Sequence, residues 1–177
     1  MPPAATPSPS PTRVSPDVQI KCEDLPNQTY VDGDFSFSIT CPSNFYWETF
    51  SKPYEALFLA SALDARHTPT GISINIYRND TGALRDWIAA HTGAPNSDQP
   101  RHFWASTSNL LDTRVAGRQA VKFATTSLGP GPPPNATAIA FVLPDGYMFL
   151  IGWAAYSTDD AAAYGAVAEK MVASIRV

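Results

Sequence analysis

The sequence of 177 residues is poor in cysteine and in basic residues, and it has no long apolar run. Its two cysteines do not form a C-x-x-C pair, and no Cys/His cluster offers the four ligands of a structural zinc site. With 12 Lys and Arg against 16 Asp and Glu, the net charge is -4, so the chain lacks the cationic surface that nucleic acids select. The most apolar stretch, residues 138–155, is broken by Pro144 and Asp145, so no segment is long enough to span a membrane as a helix.

Catalytic patterns are missing as well. The histidines are His67, His91 and His102, and none of them stands in H-E-x-x-H or in another metal-ligand spacing. The sequence has no G-x-S-x-G, and no cysteine is placed to act as a free nucleophile beside a histidine. Residues 64–67 bring an acid and a base into one segment, which we interpret as a solvated turn. We therefore expect no catalytic residue, no metal and no cofactor.

Proline is concentrated at the start of the chain. Six of the 17 prolines fall within the first 16 residues, where Arg13 is the only charged residue and aromatic residues are missing. Such a segment cannot bury enough apolar surface to offset the entropy of ordering it. We predict a disordered Pro/Ser/Thr/Ala-rich spacer over residues 1–20 and one globular domain over residues 21–177.

The spacer also indicates where the protein works. It lacks the charged and apolar regions of a secretory signal, so any export signal or membrane anchor is expected upstream. Spacers of this composition often tether an extracytoplasmic domain to a lipidated cysteine or to a transmembrane helix. With a composition rich in Ala and Arg and poor in Lys, this predicts a secreted or cell-surface bacterial domain. The alternative is a flexible terminus of a cytoplasmic protein.

Cys22 and Cys41 allow two interpretations. They form one disulfide, which would tie the segment after the spacer to a strand ending at Cys41, or they are two separate buried thiols. The even number of cysteines beside an export-type spacer favours the disulfide.

Hydrophobic periodicity predicts seven strands and two helices. The strands are predicted at residues 35–41, 56–63, 71–77, 109–115, 118–126, 137–143 and 147–156, and the helices at residues 84–91 and 158–175. Short links between strands favour antiparallel pairing, and the last two strands are apolar on both faces, so both faces of the sheet must be covered. The predicted fold class is α+β, with a mainly antiparallel sheet of about six or seven strands and helices packed on its faces.

Several motifs together resemble PsbP-like domains. Residues 35–42 and the aromatic cluster at residues 45–47 resemble the opening F-x-F-x-x-P-x-x-W strand of that family. Residues 115–120 are similar to its v-x-G-x-x-A turn, residues 145–147 to its hairpin, and residues 171–177 to its m-x-x-S-f-x-f terminus.

The resemblance extends over about residues 30–177 and implies an α/β/α sandwich. The family includes photosynthetic extrinsic subunits and exported bacterial lipoproteins, and this chain resembles the lipoprotein branch. No catalytic motif defines the family, so the resemblance carries no functional residue over to this sequence. The cysteine pair departs from the general pattern.

Five aromatic or imidazole side chains form a candidate binding patch: Tyr46, Trp47, His102, Phe103 and Trp104. If exposed together, they would suit a stacking or protein-contact surface, because Trp and Tyr are common at binding hot spots. The other interpretation, which we favour, is that they fill the ends of the core.

The sequence therefore predicts a non-enzymatic extracytoplasmic accessory or binding domain, tethered to a membrane upstream. The alternatives are a ligand-sensing ectodomain of a larger membrane receptor, such as a kinase, and a small hydrolase. We expect a monomer whose partner is a protein or a small molecule, with no nucleic acid and no membrane contact except through the upstream anchor.

Overall fold

The computed structural model describes residues 18–43, 45–50, 56–62, 71–93, 104–127, 135–155 and 157–177. Within these residues, ten strands and two α-helices follow one another along the chain. They are β1 (Val18–Lys21), β2 (Thr29–Asp32), β3 (Phe37–Thr40), β4 (Phe45–Phe50), β5 (Ala56–Ala62), β6 (Gly71–Tyr77), α1 (Leu84–Ala90), β7 (Trp104–Val115), β8 (Arg118–Ser127), β9 (Asn135–Val142), β10 (Met148–Ala155) and α2 (Thr158–Ser174).

Eight of these strands form one antiparallel sheet in the order β1-β4-β5-β6-β10-β9-β8-β7, and β2 and β3 form a separate hairpin. The predicted α+β class with a mainly antiparallel sheet is confirmed. The sheet is wider than predicted because β1 and β4 join its end beside β5. Strand β5 pairs antiparallel with β6, the next strand along the chain.

One face of the sheet, called here the α2 side, packs against α2 and the β2–β3 hairpin. Strand β10 directs Phe149, Ile151 and Trp153 to this side, where they join Ala168 and Met171 of α2 in one buried cluster. Gly165 lets the helix approach closely, since a Cβ atom there would lie 3.1 Å from Nε1 of Trp153. Every second residue of β10 thus contributes to the core on the α2 side of the sheet.

The other face, called the α1 side, packs against the short helix α1. Met148 and Leu150 of β10 point to this side and share a second buried cluster with Trp87 and Ile88 of α1. The central strands were predicted to be apolar on both faces and covered on both faces. The two clusters confirm this, because a helix packs against each face of the sheet. The sheet with its helices is the predicted α/β/α sandwich.

Two boundaries differ from the sequence prediction. The predicted spacer covers residues 1–20, but residues 18–20 belong to β1, whose backbone pairs with β4, and residues 1–17 lie outside the described residues. The predicted strand at residues 35–41 begins later, because Phe35 and Ser36 form a turn in which Ser36 has a φ of 52°. The carboxylate of Asp32 accepts the backbone N–H groups of Asp34 and Phe35 and so stabilises this turn.

Candidate functional site

Trp47 of the predicted aromatic patch is a core residue. Its side chain is 0% exposed and belongs to the cluster on the α2 side of the sheet. The indole stacks on the ring of Tyr30, with 4.4 Å between the ring centroids. This contact joins β4 to the β2–β3 hairpin, so Trp47 closes one end of the core.

Trp104 is also buried, at 7% exposure, but on the opposite side of the sheet. Its ring meets Phe123 and Trp87 edge to face, with centroid distances of 5.2 and 6.2 Å. The two tryptophans therefore do not form one exposed patch, because the sheet lies between them. This agrees with the core interpretation.

The side chains of the remaining members of the predicted patch are not among those that the structure describes. Tyr46 lies in β4, but its side chain is not among the described side chains, and His102 and Phe103 lie outside the described residues. A binding role for these three residues stays a prediction.

Cys22 and Cys41 form the predicted disulfide. Their Cα atoms are 5.4 Å apart, and both side chains are fully buried. The bond joins the 3-10 turn that follows β1 to the residue that follows β3. The disulfide therefore fastens β1, the edge strand beside β4, to the β2–β3 hairpin that covers the α2 side.

His91 is buried at the end of α1. Its ring stacks on Trp87 with 4.2 Å between centroids, and Nδ1 lies 2.8 Å from the Trp87 carbonyl oxygen. These contacts place His91 on the buried side of α1, beside a backbone carbonyl group of the helix's last turn. His67 and His102 lie outside the described residues. Across the described ranges, no group of three or more His, Cys, Asp and Glu is arranged to hold a metal ion.

A groove on the α2 side was not predicted from the sequence. It is an open depression of about 430 Å³ where β7, β8 and β9 pass the start of α2, and the described residues that line it are Ser106, Ser108, Ala124, Thr125, Thr126, Ala136, Thr137, Trp153 and Ala161. The size is within the range of small-ligand sites. The sequence signal is weak, because only the period-two spacing of Ser106 and Ser108 in β7 is visible in it, whereas the pairing of Ser106 with Thr126 comes from the structure.

The described lining of the groove is neutral and rich in hydroxyl groups. The hydroxyl groups of Ser106 and Thr126 lie 2.8 Å apart, within hydrogen-bond distance of each other. Each hydroxyl group both donates and accepts, so the lining can bind neutral polar groups such as amides or alcohols. Trp153 borders the groove, and its ring lies 5.6 Å from Nζ of Lys122, which forms an ion pair with Glu169 of α2.

Neither helix of the described chain is long and apolar enough to cross a membrane.

The comparisons with known proteins identify the fold. A scan against models of protein families gave no match, and a search of curated proteins gave none either. Among solved structures, the chain is similar to "Solution Structure of Cyanobacterial PsbP (CyanoP) from Synechocystis sp. PCC 6803". The TM-score is 0.52 and the sequence identity is 12%, with 96% of this chain and 98% of that chain covered. At this identity the likeness shows the fold alone, and the fold is PsbP-like, as the sequence motifs predicted.

Proposed function

We propose that this chain is a non-enzymatic binding or accessory domain that works outside the cytoplasm, tethered to a membrane ahead of residue 17. The buried Cys22–Cys41 disulfide carries the proposal, because such bonds persist in oxidising compartments. The Pro-rich segment at residues 2–16 supports the tether, since its composition suits an extended spacer. The PsbP-like fold is compatible with an accessory role.

The neutral groove supports the binding part of the proposal. Its described lining consists of hydroxyl groups, small apolar side chains and one indole ring, which are suited to hydrogen bonding and packing. We infer that the ligand or partner presents a neutral polar segment to this groove.

Labelling of intact cells tests the location. Ala163 is exposed on α2, so Ala163→Cys introduces a free thiol into a chain whose own cysteines are both bonded. We expect a membrane-impermeant maleimide to label this variant in intact cells of the native organism, and the unaltered chain to stay unlabelled. Labelling that occurs only after lysis would place the domain in the cytoplasm and overturn the proposal.

Photo-crosslinking tests the groove. A photoreactive amino acid in place of Ser108 lies in the groove, and the same amino acid in place of Ala163 serves as the exposed control. We expect a discrete adduct on native cells from position 108 that is missing from position 163. Equal adducts at both positions, or none at position 108, would refute a groove-bound partner.

A further inference from the structure

In the part of the chain that the structure describes, strand β7 lies at an edge of the sheet, and only its first residue, Trp104, bonds on that side, to the backbone of His91 and Gly93. It is the last strand in the order and pairs only with β8 among the strands of the described chain. Nearly all of its 12 residues are exposed or half-buried, and only Trp104 and Val115 at its ends are buried. An edge strand presents backbone N–H and C=O groups that are ready to pair with another chain.

The two halves of β7 differ in regularity. In the first half, the pairing with β8 shifts between Trp104 and Ser106 and again between Ser108 and Leu111, and Asn109 has a φ of 55°. Bulges of this kind twist an edge away from further pairing. Residues 111–115, by contrast, pair with β8 without interruption. The regular half is therefore the part of the edge able to accept another strand.

The charges on this regular half are complementary to themselves. Asp112 and Arg114 are both exposed and point to the same side of the sheet, because they are two residues apart. If two copies pair antiparallel about a two-fold axis at Thr113, Asp112 of each copy lies opposite Arg114 of the other. Oppositely charged residues directly across two strands attract each other.

Neighbouring two-fold registers lack this match. An axis at Asp112 places that carboxylate opposite its own copy, and an axis at Arg114 does the same with the guanidinium. An axis halfway between two consecutive residues would pair each residue with one whose side chain points to the other face of the sheet, so the side chains could not meet. We propose that residues 111–115 of β7 form a two-fold contact with a second copy of this chain, centred on Thr113.

The other contacts of these residues leave room for the second copy. Arg85 donates to Oδ1 of Asp112 at 2.7 Å, and the Asp112 side chain is still 63% exposed. Arg114 uses Nη1 to donate to its own Gly117 carbonyl group, and a guanidinium carries five N–H donors. On the α2 side, Leu111 is 61% exposed and lies opposite Val115 of the second copy in this register.

The contact comprises few residues, so the dimer is expected to be weak. Five residue pairs bury well under the roughly 1,600 Å² of a standard interface. The dimeric fraction should therefore increase with protein concentration up to the millimolar range. This weak dimer differs from the monomer that was expected from the sequence.

Charge exchange tests the register. By sedimentation velocity, Asp112→Arg and Arg114→Asp should each weaken association by about tenfold, because each replaces two attractions with two repulsions. The double variant, which restores opposite charges across the axis, should recover association. A protein that stays monomeric at every concentration, or a double variant no better than the single ones, would overturn the proposal.

Cysteine cross-linking tests the axis independently. Paired Cβ atoms across antiparallel strands lie about 4.5–5.5 Å apart, so Thr113→Cys should oxidise to a covalent dimer. Ser106→Cys is the matched control, exposed on the same strand but far from the axis. Dimer formation by Thr113→Cys alone supports the contact, and equal dimer formation by both variants would show random collision and refute it.

Discussion

Removing the Cys22–Cys41 disulfide should lower the stability of the domain measurably. The bond closes a loop of 19 positions, and both cysteines are buried. The chain-entropy relation for a loop of that length gives a loss of about 3 kcal/mol. For a domain of this size, that loss corresponds to a decrease in Tm of about 6–12 °C.

Two perturbations separate the covalent link from the packing of the sulfur atoms. Reducing the unaltered protein removes only the bond, whereas Cys22→Ala with Cys41→Ala also removes two buried sulfur atoms. Urea unfolding followed by tryptophan fluorescence should show the largest loss for the double variant, and added reductant should leave that variant unchanged. If oxidised and reduced protein unfold at the same urea concentration, loop closure does not stabilise this fold and the reasoning fails.

Three further substitutions test local features by the same urea unfolding. Asp32→Ala should cost about 1–3 kcal/mol, because the backbone donors of the turn lose their acceptor, while Asp32→Asn should lose less; equal losses would contradict this role. Ser157→Ala should cost about 1 kcal/mol, since Ser157 caps α2, and Ser157→Asp should retain the cap; an unchanged midpoint in the alanine variant would be inconsistent with capping. Gly165→Leu should cost about 1–3 kcal/mol because its Cβ atom meets Trp153, whereas exposed Ala163→Leu should not; similar behaviour of the two leucines would argue against close packing.

The sequence predicted the central elements of the fold because their periodicity reflects burial. Strands β9 and β10 are apolar on both faces, and the structure places a core on each side of them. Strand β4 was missed because it opens with three consecutive aromatic residues, which show no alternation. Strands β1 and β2, of four residues each, are too short to show a clear period.

The site was harder to predict than the fold. The aromatic patch joined Trp47 to Trp104 by residue type, yet pairing within the sheet directs them to opposite faces. The groove depends on side chains from four neighbouring strands and from α2, and only the register of β7, β8 and β9 brings Ser106, Thr126 and Thr137 together. A single sequence does not contain that register in readable form.

The disulfide also determines how the domain would respond to a mechanical load. Tension applied ahead of Val18 would peel β1 from β4 over four residues, about 13 Å of extended chain. The next residue is Cys22, whose covalent bond transmits the tension directly to Cys41. Residues 23–40, with both strands of the covering hairpin, are therefore bypassed by the force. A pull from the N-terminal side therefore reaches β4, which becomes the edge of the sheet once β1 has separated, without unravelling the hairpin that covers the core.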